Sequence, residues 1–179
     1  MIEKQLFSKE ECDFILRQFQ DSEWNPSMIG QSGKGGYVPS LRESQTRLLN
    51  TKDNPKLSEL LLNKLSEFNV VKLPAIVQLL RYEVGGYFRK HRDTMAKLKS
   101  SSSRHSTIIT YLNEDYEGGD LSVWDYVTNE EYIAEKKIGN SIIFESKCFH
   151  AASKVLSGTR YVLVVWTTSE GMGNKPTLI

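Results

Sequence analysis

Apolar residues recur along this chain with two different periods, and the change comes near residue 70. In the first part, Cys12, Ile15, Leu16 and Phe19 stand at i, i+3, i+4 and i+7, the spacing of one helix face. Ser8-Lys9-Glu10-Glu11 precedes them as a capping box: the Ser8 hydroxyl can accept from the Glu11 amide while Glu11 reaches back. A second helix is expected after Asn54-Pro55, an N-cap with proline at the first helical position, and Leu57, Leu60, Leu61, Leu65 and Phe68 give it an apolar face. Between the helices, Arg42 to Leu49 reads as a strand. From Val70 onward the runs are short and β-rich. Leu73 to Tyr82 reads as a buried strand, and further strands are expected at His105 to Leu112, Leu121–Val127, Tyr132–Lys136, Ser141–Glu145 and Tyr161–Thr168. Two helices followed by many short strands predict an α+β, mainly β fold with helices packed on an antiparallel sandwich or barrel.

The remaining stretches have no period. Trp24 to Tyr37, with glycines at 30, 33, 35 and 36, reads as a loop and a lid; Gly30-x-x-Gly33-Lys34 lacks the spacing and the strand–helix context of a phosphate cradle. Lys97 to Arg104 is a polar, serine-rich loop, and the tail over 169–179 is expected to be loose. The 179 residues are expected to form one domain around one site. Lysine and arginine (23) nearly balance aspartate and glutamate (22), which gives no electrostatic footprint for nucleic acid or an anionic membrane. Two cysteines, Cys12 and Cys148, with no CxxC spacing support neither a disulfide framework nor structural zinc. With no apolar leader at the N-terminus, the expectation is a soluble, cytoplasmic protein; the pattern specifies no oligomeric state.

The chemistry concentrates in Arg81 to Asp93. In an extended chain residues i and i+2 share a face, so His91 and Asp93 would project side by side and hold two neighbouring positions on one metal ion. Only His105 and His150 remain as histidine partners, and His150 follows the predicted strand ending at Glu145. Two histidines and a carboxylate on one face suit a non-haem Fe(II) oxygenase; zinc hydrolysis is the competing use. Arg160, at the start of the next strand, separates the two, because a bidentate arginine can anchor a dicarboxylic cosubstrate that a simple hydrolase has no need of. His105 reads as an ordinary strand residue, and Cys148 as a small buried hydrophobe.

Five pieces in order carry a resemblance: Leu80-Arg81-Tyr82-Glu83-Val84-Gly85 leading into His91-Arg92-Asp93; Thr110-Tyr111-Leu112-Asn113; Tyr116-Glu117-Gly118-Gly119-Asp120-Leu121; Gly139 to Phe144 before His150; and Gly158-Thr159-Arg160-Tyr161. Together they resemble the prolyl 4-hydroxylase-type family of Fe(II)- and 2-oxoglutarate-dependent dioxygenases. The resemblance implies a double-stranded β-helix, or jelly roll, with the N-terminal helices on one sheet. It implies His91, Asp93 and His150 as iron ligands, Arg160 on the 2-oxoglutarate C5 carboxylate, Tyr111 adding a hydroxyl there, and Tyr82 lining the pocket near the iron. The resemblance further implies O2 as co-reactant and succinate and CO2 as products, with ascorbate as an optional reductant. Trp166, Arg104, Tyr87 and Phe88 are expected on the substrate side. The chain departs from the family in having Phe88 where many relatives carry tyrosine three positions before the first histidine, and its anchor is arginine where collagen-type members use lysine. The expected substrate is a prolyl residue in a peptide or protein; the alternatives are a free amino acid or other small molecule, or a catalytically silent binding module.

Overall fold

The computed structural model describes residues 1–29, 36–93 and 104–173. Its elements are, in order, β1 (Ile2–Gln5), α1 (Lys9–Gln18), β2 (Asn25–Pro26), β3 (Arg42–Glu43), β4 (Gln45–Asn50), α2 (Pro55–Leu65), β5 (Ile76–Tyr82), β6 (Tyr87–His91) and β7 (Ser106–Tyr111). There follow β8 (Glu117–Gly118), β9 (Leu121–Trp124), β10 (Glu131–Ile133), β11 (Asn140–Glu145), β12 (Phe149–Ala152), β13 (Val155–Ser157) and β14 (Arg160–Thr167). A seven-stranded antiparallel sheet runs in the order β1-β11-β7-β14-β5-β4-β2, and a five-stranded one in the order β10-β9-β12-β6-β3. The two form the sandwich of a double-stranded β-helix.

Alternation along the large sheet explains the layering. Val77 and Leu79 of β5, Ile108 of β7, and Leu163 and Val165 of β14 pack with Phe7, Cys12, Ile15, Phe19, Leu57, Leu61 and Leu65, the buried faces of the two helices and their surroundings. The intervening residues Leu80, Tyr82, Ile109, Tyr111, Val162 and Val164 pack with Leu121, Val123, Phe144 and Ala152 between the sheets. The Ser8 capping box forms with both of its hydrogen bonds, Ser8 N–H to Glu11 Oε2 at 2.8 Å and Glu11 N–H to Ser8 Oγ at 3.2 Å.

Several expectations are corrected. Arg42 to Leu49 is two strands: β3 pairs with β6 in the small sheet and β4 with β5 in the large one, with the buried Ser44 at the crossing. Asn54 precedes α2, but its side chain donates to Asn50 O (2.9 Å) and leaves the N-cap role unfilled. β9 ends at Trp124 because Asp125 Oδ1 accepts from the Val127 and Thr128 amides, turning the chain before β10. Residues 169–173 are docked, with a 3-10 turn at Ser169–Gly171, a bridge from Met172 to Val70, and the Gly173 amide on Asn69 O. The rest of the tail, most of the glycine-rich stretch and 94–103 lie outside the described residues. No helix among the described residues is long and apolar enough to cross a membrane.

Candidate active site

Two strands of the small sheet bring the histidines together. His91 at the end of β6 is the direct cross-strand partner of His150 in β12, with ring centroids 4.1 Å apart. His150 stands in its own strand, because Ser146–Cys148 turns the chain out of β11 in the large sheet. Asp93 lies just past β6, held by its amide on Ser146 O (3.1 Å). Its carboxylate comes 3.7 Å from His91 Nε2 and 3.5 Å from His150 Nε2. One donor atom from each of the three residues lies within 4.8 Å of the others, a set able to hold one metal ion. His105 is elsewhere, with its Nδ1 beside Ser106 Oγ.

The surrounding hydrogen bonds prepare this set for a cation. His91 Nδ1 faces Arg89 O at 2.8 Å and His150 Nδ1 faces Cys148 O at 3.3 Å. A carbonyl oxygen only accepts, so each Nδ1 carries the proton and each Nε2 presents a lone pair. Burial lowers the His150 pKa to about 4, keeping that imidazole neutral as a ligand must be. Burial alone would raise the Asp93 pKa; His150, His91 and the Thr107 hydroxyl outweigh it and hold the carboxyl below its usual range. Asp93 Oδ2 accepts from Thr107 Oγ1 (2.7 Å) and Trp166 Nε1 (2.8 Å). The Arg104 guanidinium lies 3.5 Å from the centre of the Trp166 ring and 3.9 Å from Asp93 Oδ1.

A cavity of about 440 Å³ opens from the triad between the sheets. Its walls follow from period two: Arg160, Val162, Val164 and Trp166 of β14 all face it, as do Thr107 and Ile109 of β7 and Gln78, Leu80 and Tyr82 of β5. Because β14 and β7 are antiparallel, with Val162 opposite Tyr111 and Trp166 opposite Thr107, one end carries the Asp93 donors and the other carries Arg160 and Tyr111.

Arg160 is 1% exposed and has no carboxylate within ion-pair distance among the described residues. Its Nε and the hydroxyls of Tyr111 and Tyr116 are buried without a hydrogen-bond partner. The guanidinium carbon lies 4.9 Å from the Tyr82 ring centre and 5.3 Å from that of Tyr111. Two orphaned tyrosine hydroxyls and the arginine's own unpaired Nε make a donor set able to hold a carboxylate. The chain passes Arg160 at Gly119, where φ is +64° and a Cβ would stand 2.9 Å from Arg160 Cδ.

Of the residues expected on the substrate side, Phe88 stacks on His91 with centroids 3.4 Å apart. A bulge sets this up: β12 advances from His150 to Ala152 while β6 runs from His91 to Phe88, so three steps on one strand oppose two on the other. Tyr87, expected at the substrate, points elsewhere: its hydroxyl donates to Pro39 O (2.8 Å) and it is not part of the cavity wall. Trp166 and Arg104 line the cavity, and both are also tied to Asp93. The sequence reading missed Thr107, Tyr116 and Arg42. Counting back by two from Tyr111 would have found Thr107, and Tyr116 lay within a recognised piece without a role.

Residues 77–168 match the model of the 2OG-Fe(II) oxygenase superfamily, over half of the chain. The chain belongs to this superfamily. Its enzymes use Fe(II), 2-oxoglutarate and O2. A PKHD-type hydroxylase of Prochlorococcus marinus (strain AS9601) is 29% identical over 92% of this chain and 76% of its own length. A PKHD-type hydroxylase of Picosynechococcus sp. is 26% identical over 92% and 76% respectively. The fold is shared with a Trichoplax adhaerens prolyl hydroxylase solved with a hypoxia inducible factor peptide fragment (TM-score 0.72, 16% identity, 94% of this chain and 83% of that one). It is also shared with the viral collagen prolyl hydroxylase of Paramecium Bursaria Chlorella virus-1 (TM-score 0.60, 23% identity, 92% and 93%).

Proposed function

We propose that this oxygenase is a hydroxylase of an unactivated C–H bond in a prolyl residue of a peptide or protein. One observation carries the reading: a His-Asp-His set and Arg160, a buried arginine without a carboxylate partner among the described residues, line one cavity at opposite ends of the same strand pair. The PKHD-type hydroxylases and the prolyl hydroxylase folds support hydroxylation of proline as its direction.

In this reading His91, Asp93 and His150 hold Fe(II) on one face. The metal with 2-oxoglutarate and O2 supplies the oxidising chemistry, inserting one oxygen atom into the C–H bond and the other into succinate as CO2 leaves. Arg160 fixes the distal carboxylate of the cosubstrate, with Tyr111 and Tyr116 donating beside it. Thr107 and Trp166 keep Asp93 in one rotamer by hydrogen bonding one of its oxygens. Leu80, Ile109, Val162 and Val164 line the space between metal and anchor with hydrocarbon, which excludes water from the reacting centre. Phe88, stacked on His91, presents an apolar face where a relative's tyrosine would offer a hydroxyl.

Anaerobic addition of Fe(II) and 2-oxoglutarate should give a weak visible charge-transfer band, and His91→Ala should abolish it. No band in the wild type would overturn the enzyme reading, and a silent jelly-roll module would take its place. Mass spectrometry for one added oxygen on prolyl peptides, set beside free amino acids, tests the substrate. Oxygen found only in free amino acids would replace the prolyl-peptide assignment.

A further inference from the structure

The cavity wall carries a second buried arginine that the iron and cosubstrate roles leave unused. Arg42 is 7% exposed and stands beside the point where the chain crosses from the small sheet to the large one. Its Nε donates to Ser44 Oγ (2.7 Å), which in turn donates to Ser27 Oγ (2.9 Å). Its guanidinium carbon lies 4.5 Å from the centre of Phe88, the ring stacked on His91. The side chain is therefore held at a fixed place one ring away from the metal set. Among the described residues it meets no carboxylate, and its terminal nitrogens make no hydrogen bond.

Charge accounting makes this unusual. Asp93 is the one acidic residue among the described residues lining the cavity, and it already belongs to the His-Asp-His set. A divalent metal with Asp93, and a dicarboxylate with Arg160, cancel as a group. Arg42 and Arg104 are then left over inside, with Arg92 at the rim. Arg104 has Asp93 beside it and Arg92 stacks 3.9 Å over Phe149. Arg42 shares with Arg92 an aromatic neighbour, Phe88, but unlike Arg92 it is buried, and unlike Arg104 it has no carboxylate beside it among the described residues. Burying a cation without a counter-charge is costly, and a fork prepared in this way matches a carboxylate.

We propose that Arg42 is a specificity residue that binds a carboxylate of the substrate, next to the carbon that is oxidised. The proposal rests on the hydroxylase reading above and adds a substrate class to it: the oxidised unit carries or adjoins a negative charge. That charge has two sources, an acidic side chain neighbouring the target residue in a peptide or the free carboxyl of an amino acid. Ser44 and Ser27 act as positioning residues for the fork.

Calorimetric titration of the full chain, loaded anaerobically with Fe(II) and saturated with 2-oxoglutarate, tests this with two pairs of probes. One pair is a blocked Gly-Glu-Pro-Gly peptide and its Gln counterpart; the other is N-acetylproline and N-acetylprolinamide. In at least one pair the anionic member should bind about tenfold tighter or more. Arg42→Gln should bring that ratio close to one while the dissociation constant for 2-oxoglutarate stays unchanged, and Arg42→Lys should give an intermediate ratio. The pair that discriminates identifies the source of the charge. Ratios near one in both pairs, or a ratio that survives Arg42→Gln, overturn the proposal. If Arg42→Gln does not fold, the wild-type ratio and its fall to an intermediate value in Arg42→Lys decide the matter, and a ratio unchanged in Arg42→Lys overturns the proposal. Equal hydroxylation of charged and neutral prolyl probes would sustain the prolyl reading and defeat the role of Arg42. A charge preference with no oxygen gained on any prolyl probe would do the reverse.

Discussion

At the scale of single residues, the His-Asp-His set and Arg160 stand at opposite ends of the cavity, so under the proposed function substitutions should separate too. Arg160→Gln removes the buried cation beside Tyr111 and leaves the buried Tyr111 and Tyr116 hydroxyls still without a partner. Removing a charge-assisted pair costs about 1.5–3 kcal/mol, on the order of 10- to 100-fold in 2-oxoglutarate affinity. Titration of the charge-transfer band with 2-oxoglutarate measures that shift, and unchanged iron affinity in the absence of 2-oxoglutarate is the companion result. Trp166→Phe does the opposite. It keeps a ring under the Arg104 guanidinium but removes the indole N–H from Asp93 Oδ2, where Thr107 also donates. Loss of such an outer-sphere bond lowers metal affinity by roughly 10- to 100-fold. Competition with a chelator reads this out. Because both donors share one oxygen, Thr107→Val combined with Trp166→Phe should cost less or more than the sum of the two, and not the sum itself.

At the scale of elements, the fold rests on a few turns whose geometry admits one kind of residue. Gly139 has φ +80°, and a Cβ there would stand 1.8 Å from Phe7 O; its own carbonyl accepts from the amides of Leu6 and Phe7. It thus joins the approach to α1 to the start of β11. Gly139→Ala should destabilise the protein by at least about 1–3 kcal/mol, which a thermal melt would register as a loss of several degrees. Here also lies the difference between what could be read from the sequence and what could not. Capping at Ser8, the apolar faces of both helices and the strands at 76–82, 106–111, 140–145 and 160–167 were legible because each has a local period or a local stop signal. The convergence of His91, Asp93 and His150 was legible because His91 and Asp93 are close in sequence and few histidines compete for the third place. The break at Ser44 was not, since Arg42–Glu43 and Gln45–Asn50 are both extended and differ only in the sheet that each joins. Arg42 was missed for the same reason. Tyr87 was misassigned because the bulge in β6 makes Phe88, three steps from His91, the residue beside it, and no local pattern announces a bulge.

At the scale of the whole molecule, the cavity joins both sheets, and its ligands should therefore report on global stability. His91 and His150 belong to the small sheet and Arg160 and Thr107 to the large one, while Asp93 follows β6 of the small sheet in the chain and is hydrogen-bonded to Thr107 and Trp166 of the large one. A metal and a cosubstrate bound across this seam stabilise the native state by mass action, because the unfolded chain has no assembled site. At a free concentration about 100 times the dissociation constant the gain is about 2.7 kcal/mol. In a protein of this size each kcal/mol moves the melting temperature by about 2–4 °C, which gives a rise of roughly 5–11 °C. Anaerobic melts with Fe(II) and 2-oxoglutarate should show that rise, and a chelator should reverse it. In His91→Ala both the rise with metal and the further increment from 2-oxoglutarate should vanish, whereas in Arg160→Gln the rise with metal alone should persist and only the increment from 2-oxoglutarate should disappear. Because the two ligands meet the protein on different sheets, this pattern separates a site that spans the seam from two independent sites. Increments that survive the opposite substitution in every case would mean that the two halves of the cavity do not act as one.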